Sequence, residues 1–227
     1  EEGKKTNYHY VLWFHQDRTI LIKHEDYQYS HPEFKEPKWI YLSSMGEHSL
    51  PYHNQIAHYL AEHPNVKLAF QPGTFQIKIG YEKMKPFYTG AEVFFCNVEE
   101  AQTILETSET DIKKLLKGIS DLGPKVTVIT DGPNGAYTYD RVEMLFIPAY
   151  PDIAPPYERT GAGDAFSSTF TVALALGKSV REALMWGPIN SMSVVQEIGA
   201  QRGLLNQEKL EQYLKDAPKE YTPAKIN

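Results

Sequence analysis

Apolar and polar positions change their period along the chain, and each change marks an element. Tyr8 to His15 (YHYVLWFH) and Thr19 to Lys23 (TILIK) are dense in aromatic and β-branched residues, and the polar Gln16-Asp17-Arg18 between them predicts a β-hairpin. His31-Pro32-Glu33 and Lys35-Glu36-Pro37 interrupt the pattern, and Lys38 to Leu42 resumes it as a short apolar strand. Helical spacing then covers Tyr52 to Glu62, followed by a strand at Val66 to Phe70. A strand at Glu92 to Phe95 leads into a helix from Val98 to Leu105, and a helix from Asp111 to Leu122 feeds a strand at Lys125 to Thr130. Strand followed by helix, repeated, predicts a parallel sheet covered by helices on both faces. Tyr137 to Tyr139 and Glu143 to Ile147 read as a hairpin added at the edge. Past the proline-rich Pro148 to Pro156 the chain turns helical at Gly161 to Leu176, Ser179 to Glu197 and Gln207 to Lys215, with Gly177 and Gly199 where helix stops belong.

Composition narrows the class. The 227 residues, 41% hydrophobic and 23% charged, suffice for one ordinary α/β domain spanning 1–227. No apolar run reaches the roughly 20 residues that span a bilayer, and Glu1-Glu2-Gly3-Lys4-Lys5 lacks the layout of a signal peptide, so a cytoplasmic protein with no membrane partner is expected. The single cysteine, Cys96, excludes an internal disulfide framework. A net charge of -6 argues against a nucleic-acid partner, and an anionic ligand would need local dipoles and a metal to supply positive field.

Three segments carry candidate chemistry. Thr160-Gly161-Ala162-Gly163-Asp164 is a small-residue turn opening a long apolar helix, where main-chain N–H groups can converge on an anion and the helix dipole adds to their field. Asp164 in that first turn could accept a proton from a substrate hydroxyl; it could equally be an acidic residue favoured at a helix start. Asn97-Val98-Glu99-Glu100 offers hard oxygen ligands, and the same spacing makes a capping box. Thr130-Asp131-Gly132-Pro133-Asn134-Gly135 puts glycines at the carboxyl end of a strand, either as a ligand loop or as a turn into the next strand.

Taken in order, these segments resemble the motifs of ribokinase-like (PfkB-type) sugar and nucleoside kinases: N-x-x-E, then T-x-G-x-x-G, then TGAGDAF at Thr160 to Phe166. The resemblance implies a ribokinase-like, Rossmann-type central sheet flanked by helices (about 43–227), preceded by lid-like β-strands (about 7–42). It implies phosphoryl transfer from ATP to an alcohol of a sugar or nucleoside, with Asp164 as catalytic base and Gly161, Ala162 and Gly163 as the anion hole. Mg²⁺ would sit near Asn97 and Glu100, and Thr130, Gly132, Gly135 and Thr160 would contact the nucleotide. Ser191 to Ala200 is similar to the helix and Gly199-Ala200 pair that border the adenine pocket in the family, with Pro188 where relatives often carry Asn. Glu158 stands where many members have Asp in a loop linked to a monovalent cation, which makes such a cation an optional addition. Family members typically carry a further N-terminal portion that selects the acceptor, and Ser43 and Ser44 stand near the place of an acidic substrate contact. The resemblance thus leaves two expectations, an active kinase or a nucleotide-binding remnant, and a sheet edge that a homodimer or larger homo-oligomer would cover.

Two other patterns receive a structural reading. His48, His53, His58 and His63 recur every five residues and cannot share one helical face, so surface histidines rather than a metal cluster are expected. The aromatic run from Tyr8 to Phe14 reads as a strand at a core or interface.

Overall fold

In the central strands, alternate side chains enter two separate cores. Ala69, Val93, Phe95, Val126 and Val128 face one side of the sheet, while Leu68, Phe70, Phe94, Cys96 and Ile129 face the other. Side chains alternate across a strand, so continuous apolar runs such as Val93 to Cys96 must be covered on both faces. The computed structural model describes residues 2–14, 17–23, 25–30 and 32–226. Of the positions read from sequence above, Glu1, His15, Gln16 and His31 lie outside the described residues.

The strands are β1 (Tyr8–Phe14), β2 (Asp17–Lys23), β3 (Trp39–Leu42), β4 (Lys67–Phe70), β5 (Ala91–Asn97), β6 (Val126–Thr130), β7 (Ala136–Tyr139), β8 (Met144–Ile147) and β9 (Ala224–Lys225). The helices are α1 (Leu50–Glu62), α2 (Thr74–Ile79), α3 (Tyr81–Gly90), α4 (Val98–Ile104), α5 (Ile112–Asp121), α6 (Ala162–Ala175), α7 (Val180–Val194) and α8 (Gln207–Lys215). A seven-stranded sheet runs β3-β4-β5-β6-β7-β8-β9, and β1 and β2 form a separate antiparallel pair. Strands β3 to β6 are parallel and joined through helices, and β6 to β9 are antiparallel. The hairpin β7–β8 is therefore not the edge, because Ala224–Lys225 adds β9 beyond it.

Helices α6, α7 and α8 close one face through Phe170, Ala173, Leu184, Trp186, Ile189 and Leu210. On the other face α1, α3 and α5 bring Ile56, Phe87, Leu115, Leu116 and Ile119 against Phe70 and Phe94. The Phe94 ring stacks on Tyr88 at 5.0 Å and meets Phe70 edge-on at 5.7 Å; burying an aromatic of this size stabilises by about 1.5–3 kcal/mol. Helix α3 carries Pro86 in its interior, and Gly80, at φ +89°, separates it from α2. A proline within a helix and a break of one residue blur the 3.6 period, which is why apolar spacing alone does not announce α2 and α3.

One expectation is overturned here. His48 and His58 are exposed and pair with Asp26 and Glu62, both at 3.3 Å, but His53 is fully buried in α1. Its Nδ1 lies 2.8 Å from the Ser49 carbonyl and must donate to it, the Phe87 ring meets it edge-on, and Nε2 has no partner among the described residues. Burial holds the imidazole pKa below its ordinary value, against the smaller upward pull of the Ser49 carbonyl. In the unfolded chain the ring takes a proton near pH 6.5 that the folded chain refuses, so this contribution is intact above that pH and is lost as pH falls below it. The urea midpoint of the native protein is accordingly expected to fall further between pH 7.5 and pH 5 than that of His53→Gln, which keeps a donor for Ser49 and cannot titrate. Equal falls would show that His53 does not contribute.

Candidate active site

The carboxyl ends of the parallel strands gather the chemistry. Asn97 ends β5, Thr130 ends β6, and the two are register partners across the sheet, while Gln71 directly follows β4. Open α/β sheets bind ligands at this end of their strands. A cavity of about 780 Å³ lies there, walled by Asn97 and Glu99, by the loop Thr130 to Ala136, by Ala162, Gly163 and Phe166 of α6, and by Pro188, Ser191, Met192 and Val195 near the end of α7. Arg159 also lines it and is the only Lys or Arg among the lining residues.

Each motif has a local reason for its shape. The Thr130–Gly135 loop is a short 3-10 turn in which the Asp131 N–H donates to the Gly135 carbonyl at 2.9 Å and Asn134 Nδ2 donates to Asp131 at 3.2 Å. Gly135 has φ +109°, and a Cβ there would lie 2.2 Å from the Ile147 carbonyl oxygen, so only glycine fits. The loop turns β6 into β7 and also lines the cavity.

At Asn97 the capping box is formed. Asn97 Oδ1 accepts from the Glu100 N–H at 2.8 Å, and Glu100 Oε2 accepts from the Asn97 N–H at 2.9 Å. Asn97 lines the cavity, whereas its partner in the lining is Glu99 and not Glu100. Burial raises the Glu100 pKa, the Asn97 N–H opposes this, and the charges of Glu99 and Asp164 raise it further. Among the described residues no cluster of three or more His, Cys, Asp or Glu side chains could by itself hold a metal ion. Mg²⁺ keeps most of its waters and takes substrate phosphates as ligands, so a nucleotide-borne magnesium would meet Asn97 at the cavity wall and reach Glu100, which is outside the lining and has one carboxylate oxygen outside the capping box, only through the ion's waters.

The turn into α6 is built around Gly161, at φ +82°, where a Cβ would meet the Ala200 Cβ at 2.6 Å and its Cα at 2.8 Å. Gly161 therefore packs on the Gly199-Ala200 turn and does not line the cavity; Ala162 and Gly163 do. The Ala162 N–H donates to the Arg159 carbonyl at 3.4 Å, while the first-turn N–H groups of Gly163 and Asp164 have no main-chain acceptor among the described residues. Of the three residues expected to form an anion hole, Ala162 and Gly163 line the cavity and Gly161 does not. Thr160 and Gly199 are likewise engaged elsewhere: Thr160 Oγ1 donates to Glu158 at 2.9 Å, and the Gly199 N–H donates to the same carboxylate. Glu158 ties the loop before α6 to the turn after α7, with both carboxylate oxygens bonded to protein donors.

Asp164, which follows the lining residue Gly163 on the first turn of α6, is exposed and is not itself among the residues that line the cavity. Its Oδ1 accepts from Gln71 Nε2 at 3.2 Å, and Gln71 Oε1 accepts from the Tyr41 hydroxyl. Partial burial raises the Asp164 pKa and the Gln71 bond opposes it. Asp164 is close enough to Glu100 and Tyr41 for its charge to raise both of their pKa values. Tyr41, Gln71 and Arg159 are the residues here that motif reading misses. Only the position of Gln71 at a strand end could have hinted at one of them.

The pfkB family carbohydrate kinase profile matches residues 2–207. Ribokinase from Bacillus subtilis is 37% identical over 94 residues, which cover 41% of this chain and 31% of that protein. Cytidine kinase from Thermococcus kodakarensis is 30% identical over 120 residues, 51% of this chain and 41% of that one. Ribokinase from Cryptococcus neoformans var. grubii serotype A, solved in complex with ADP, superposes with a TM-score of 0.73 at 17% identity over 93% of this chain and 72% of its own. Fructokinase from Vibrio cholerae O395, in a form holding fructose, ADP and calcium, gives 0.68 at 20% identity over 87% and 68%. The structural likenesses establish a shared ribokinase fold, and the chain spans between 31% and 41% of the length of these curated relatives. Matched across most of its residues, the chain belongs to the pfkB family of carbohydrate kinases.

Proposed function

We propose that this chain carries the phosphate-handling part of an ATP-dependent kinase that phosphorylates an alcohol group of a sugar or nucleoside. The observation that carries this reading is the convergence of Asn97, Thr130 and Gly163 on one cavity, with Asp164 the next residue after Gly163 on the first turn of α6. Asp164 takes the proton of the acceptor hydroxyl as that oxygen bonds to the terminal phosphorus and the bond to the ADP oxygen breaks. The N–H groups of Gly163 and Asp164, which have no main-chain acceptor among the described residues and lie at the positive end of α6, hold the transferring phosphoryl group. The loop from Thr130 to Gly135 borders the polyphosphate, and Pro188, Ser191, Met192 and Val195 wall the base, with Gly199-Ala200 behind Gly161. Arg159 supplies the side-chain cation among otherwise acidic lining residues, Glu99, Asp131 and Asp152. Asn97 and Glu100 would hold the magnesium, which when bound would draw charge from the phosphates. The fructokinase solved with fructose, ADP and calcium supports the nucleotide and divalent-cation side of this reading. The optional monovalent cation has no ligand assigned to it, because Glu158 is already bonded to Thr160 and Gly199.

Calorimetry with ATP and Mg²⁺, followed by a coupled ADP-release assay on ribose, fructose and cytidine, tests the proposal. Binding with release on one of these acceptors is expected. Binding without turnover on any acceptor would favour a nucleotide-binding or assembly module, a reading supported by the limited share of the relatives' length that the chain spans. Absence of binding would sink both.

Small-molecule partners aside, we take a second copy of the chain as the partner of the β1–β2 ladder. Tyr8, Tyr10, Leu12 and Leu21 share one face of that ladder and are 46–62% exposed, an apolar face larger than an isolated surface residue would present. Sedimentation velocity is expected to give twice the monomer mass for the native chain and the monomer mass for Tyr10→Lys; a native monomer at all concentrations would refute it. Among the described residues no helix is long and apolar enough to cross a membrane, and we place the protein in the cytoplasm.

A further inference from the structure

Asp164 is held from a direction that none of the three motifs supplies. Tyr41 lies in β3 and Gln71 directly follows β4, whose strands are register neighbours, and the Gln71 N–H donates to the Leu42 carbonyl at 2.9 Å. The backbone beneath this pair is therefore fixed by the sheet. The Tyr41 hydroxyl donates to Gln71 Oε1, and Gln71 Nε2 donates to Asp164 Oδ1 at 3.2 Å. The direction of this chain follows from the chemistry of its ends. A carboxylate can only accept, so the amide nitrogen must face Asp164 and the amide oxygen must face Tyr41, which donates. Burial and then the Asp164 charge raise the Tyr41 pKa well above that of an ordinary phenol, so the hydroxyl remains a donor at neutral pH.

We propose that Tyr41 and Gln71 are positioning residues that hold Asp164 Oδ1 through a one-way hydrogen-bond relay and leave its other oxygen to receive the acceptor's proton. The proposal rests on the assignment of Asp164 as the base. An amide is suited to this place because it orients the carboxylate without adding charge. A lysine or arginine would drive the carboxyl pKa down and weaken the base, and a second carboxylate would drive it up. The groups that bear on Asp164 are Tyr41 from β3, Gln71 after β4 and Glu100 from α4; among the described residues no Lys or Arg forms an ion pair with it.

The test reads Asp164 directly in the full chain by carbon NMR of aspartate labelled at Cγ, with its resonance identified by loss in Asp164→Asn. Gln71→Leu removes the donor and is expected to move the Asp164 titration to higher pH. Gln71→Glu keeps the shape and the Tyr41 bond, removes the donor and adds a like charge, and should move it further. Tyr41→Phe frees the amide to turn and should move it by less than Gln71→Leu. In the ADP-release assay Gln71→Leu should lose about tenfold in kcat, the worth of one such hydrogen bond, with KM for ATP unchanged and the acid limb of the rate profile displaced like the titration. An Asp164 titration that is the same in native protein, Gln71→Leu and Gln71→Glu would overturn the relay. Because the titration needs no turnover, that failure is separate from failure of the base assignment, which is the survival of activity in Asp164→Asn.

Discussion

Asp164→Asn is expected to lower phosphoryl transfer by about 10²- to 10⁴-fold, the range that a positioned general base contributes, while ATP and Mg²⁺ still bind. The side chain keeps its size and can still meet the α6 amide end, but a neutral carboxamide has no basic oxygen to take the acceptor's proton. Burial already raises the Asp164 pKa, so in the native protein the rate should climb as pH rises through that raised value; the residual activity of the variant should lack this limb. Nucleotide affinity should stay within a few-fold or tighten, since one negative charge facing the polyphosphate is gone and the Gly163 N–H remains. A second consequence follows at Glu100, whose pKa should relax downward without the Asp164 charge. Native turnover in the variant would remove Asp164 from the role of base.

Arg159→Ala should weaken ATP binding by about 10- to 100-fold, taking about 1.5–3 kcal/mol for a hydrogen bond to a charged group and discounting it for exposure of the guanidinium. The reason is the composition of the cavity wall, which Arg159 shares with Glu99, Asp131 and Asp152 and with no other Lys or Arg. No hydrogen bond or ion pair among the described residues engages its guanidinium, so the side chain is available to a phosphate. Arg159→Lys should recover part of the affinity, because a point charge remains while the two-pronged geometry is lost. The salt dependence of binding should flatten in Arg159→Ala, since the contact is screened over about 10 Å at 0.1 M ionic strength. Calorimetry across a salt series checks both points, and an unchanged dissociation constant would exclude Arg159 from the nucleotide site.

The architecture was largely legible in the order of residues. Val93 to Cys96 is apolar without interruption and Val126 to Ile129 is apolar but for the buried Thr127, and a strand of that kind is stable between two layers of helices. Gly135 and Gly161 announced their own conformations, because both sit at positive φ with backbone where a side chain would go. The short elements were not legible: β9 pairs only two residues with β8, and α3 is interrupted by Pro86, so neither has a periodic signature of its own.

For the site, local sequence marked the candidate groups, since N-x-x-E, T-x-G-x-x-G and GAGD each describe one strand end or one helix start. Tertiary structure alone decided which of those groups share the cavity, placing Asn97, Thr130 and Gly163 on its wall and turning Thr160, Gly161 and Gly199 away into the packing between α6 and α7. It also decided that His53 is interior and that Tyr41 and Gln71 reach Asp164. The physical reason is range. A cap, a turn or a strand period is set by neighbours a few residues apart, whereas a contact such as Gln71 to Asp164, 93 residues apart, exists only after the sheet has brought β3, β4 and α6 together.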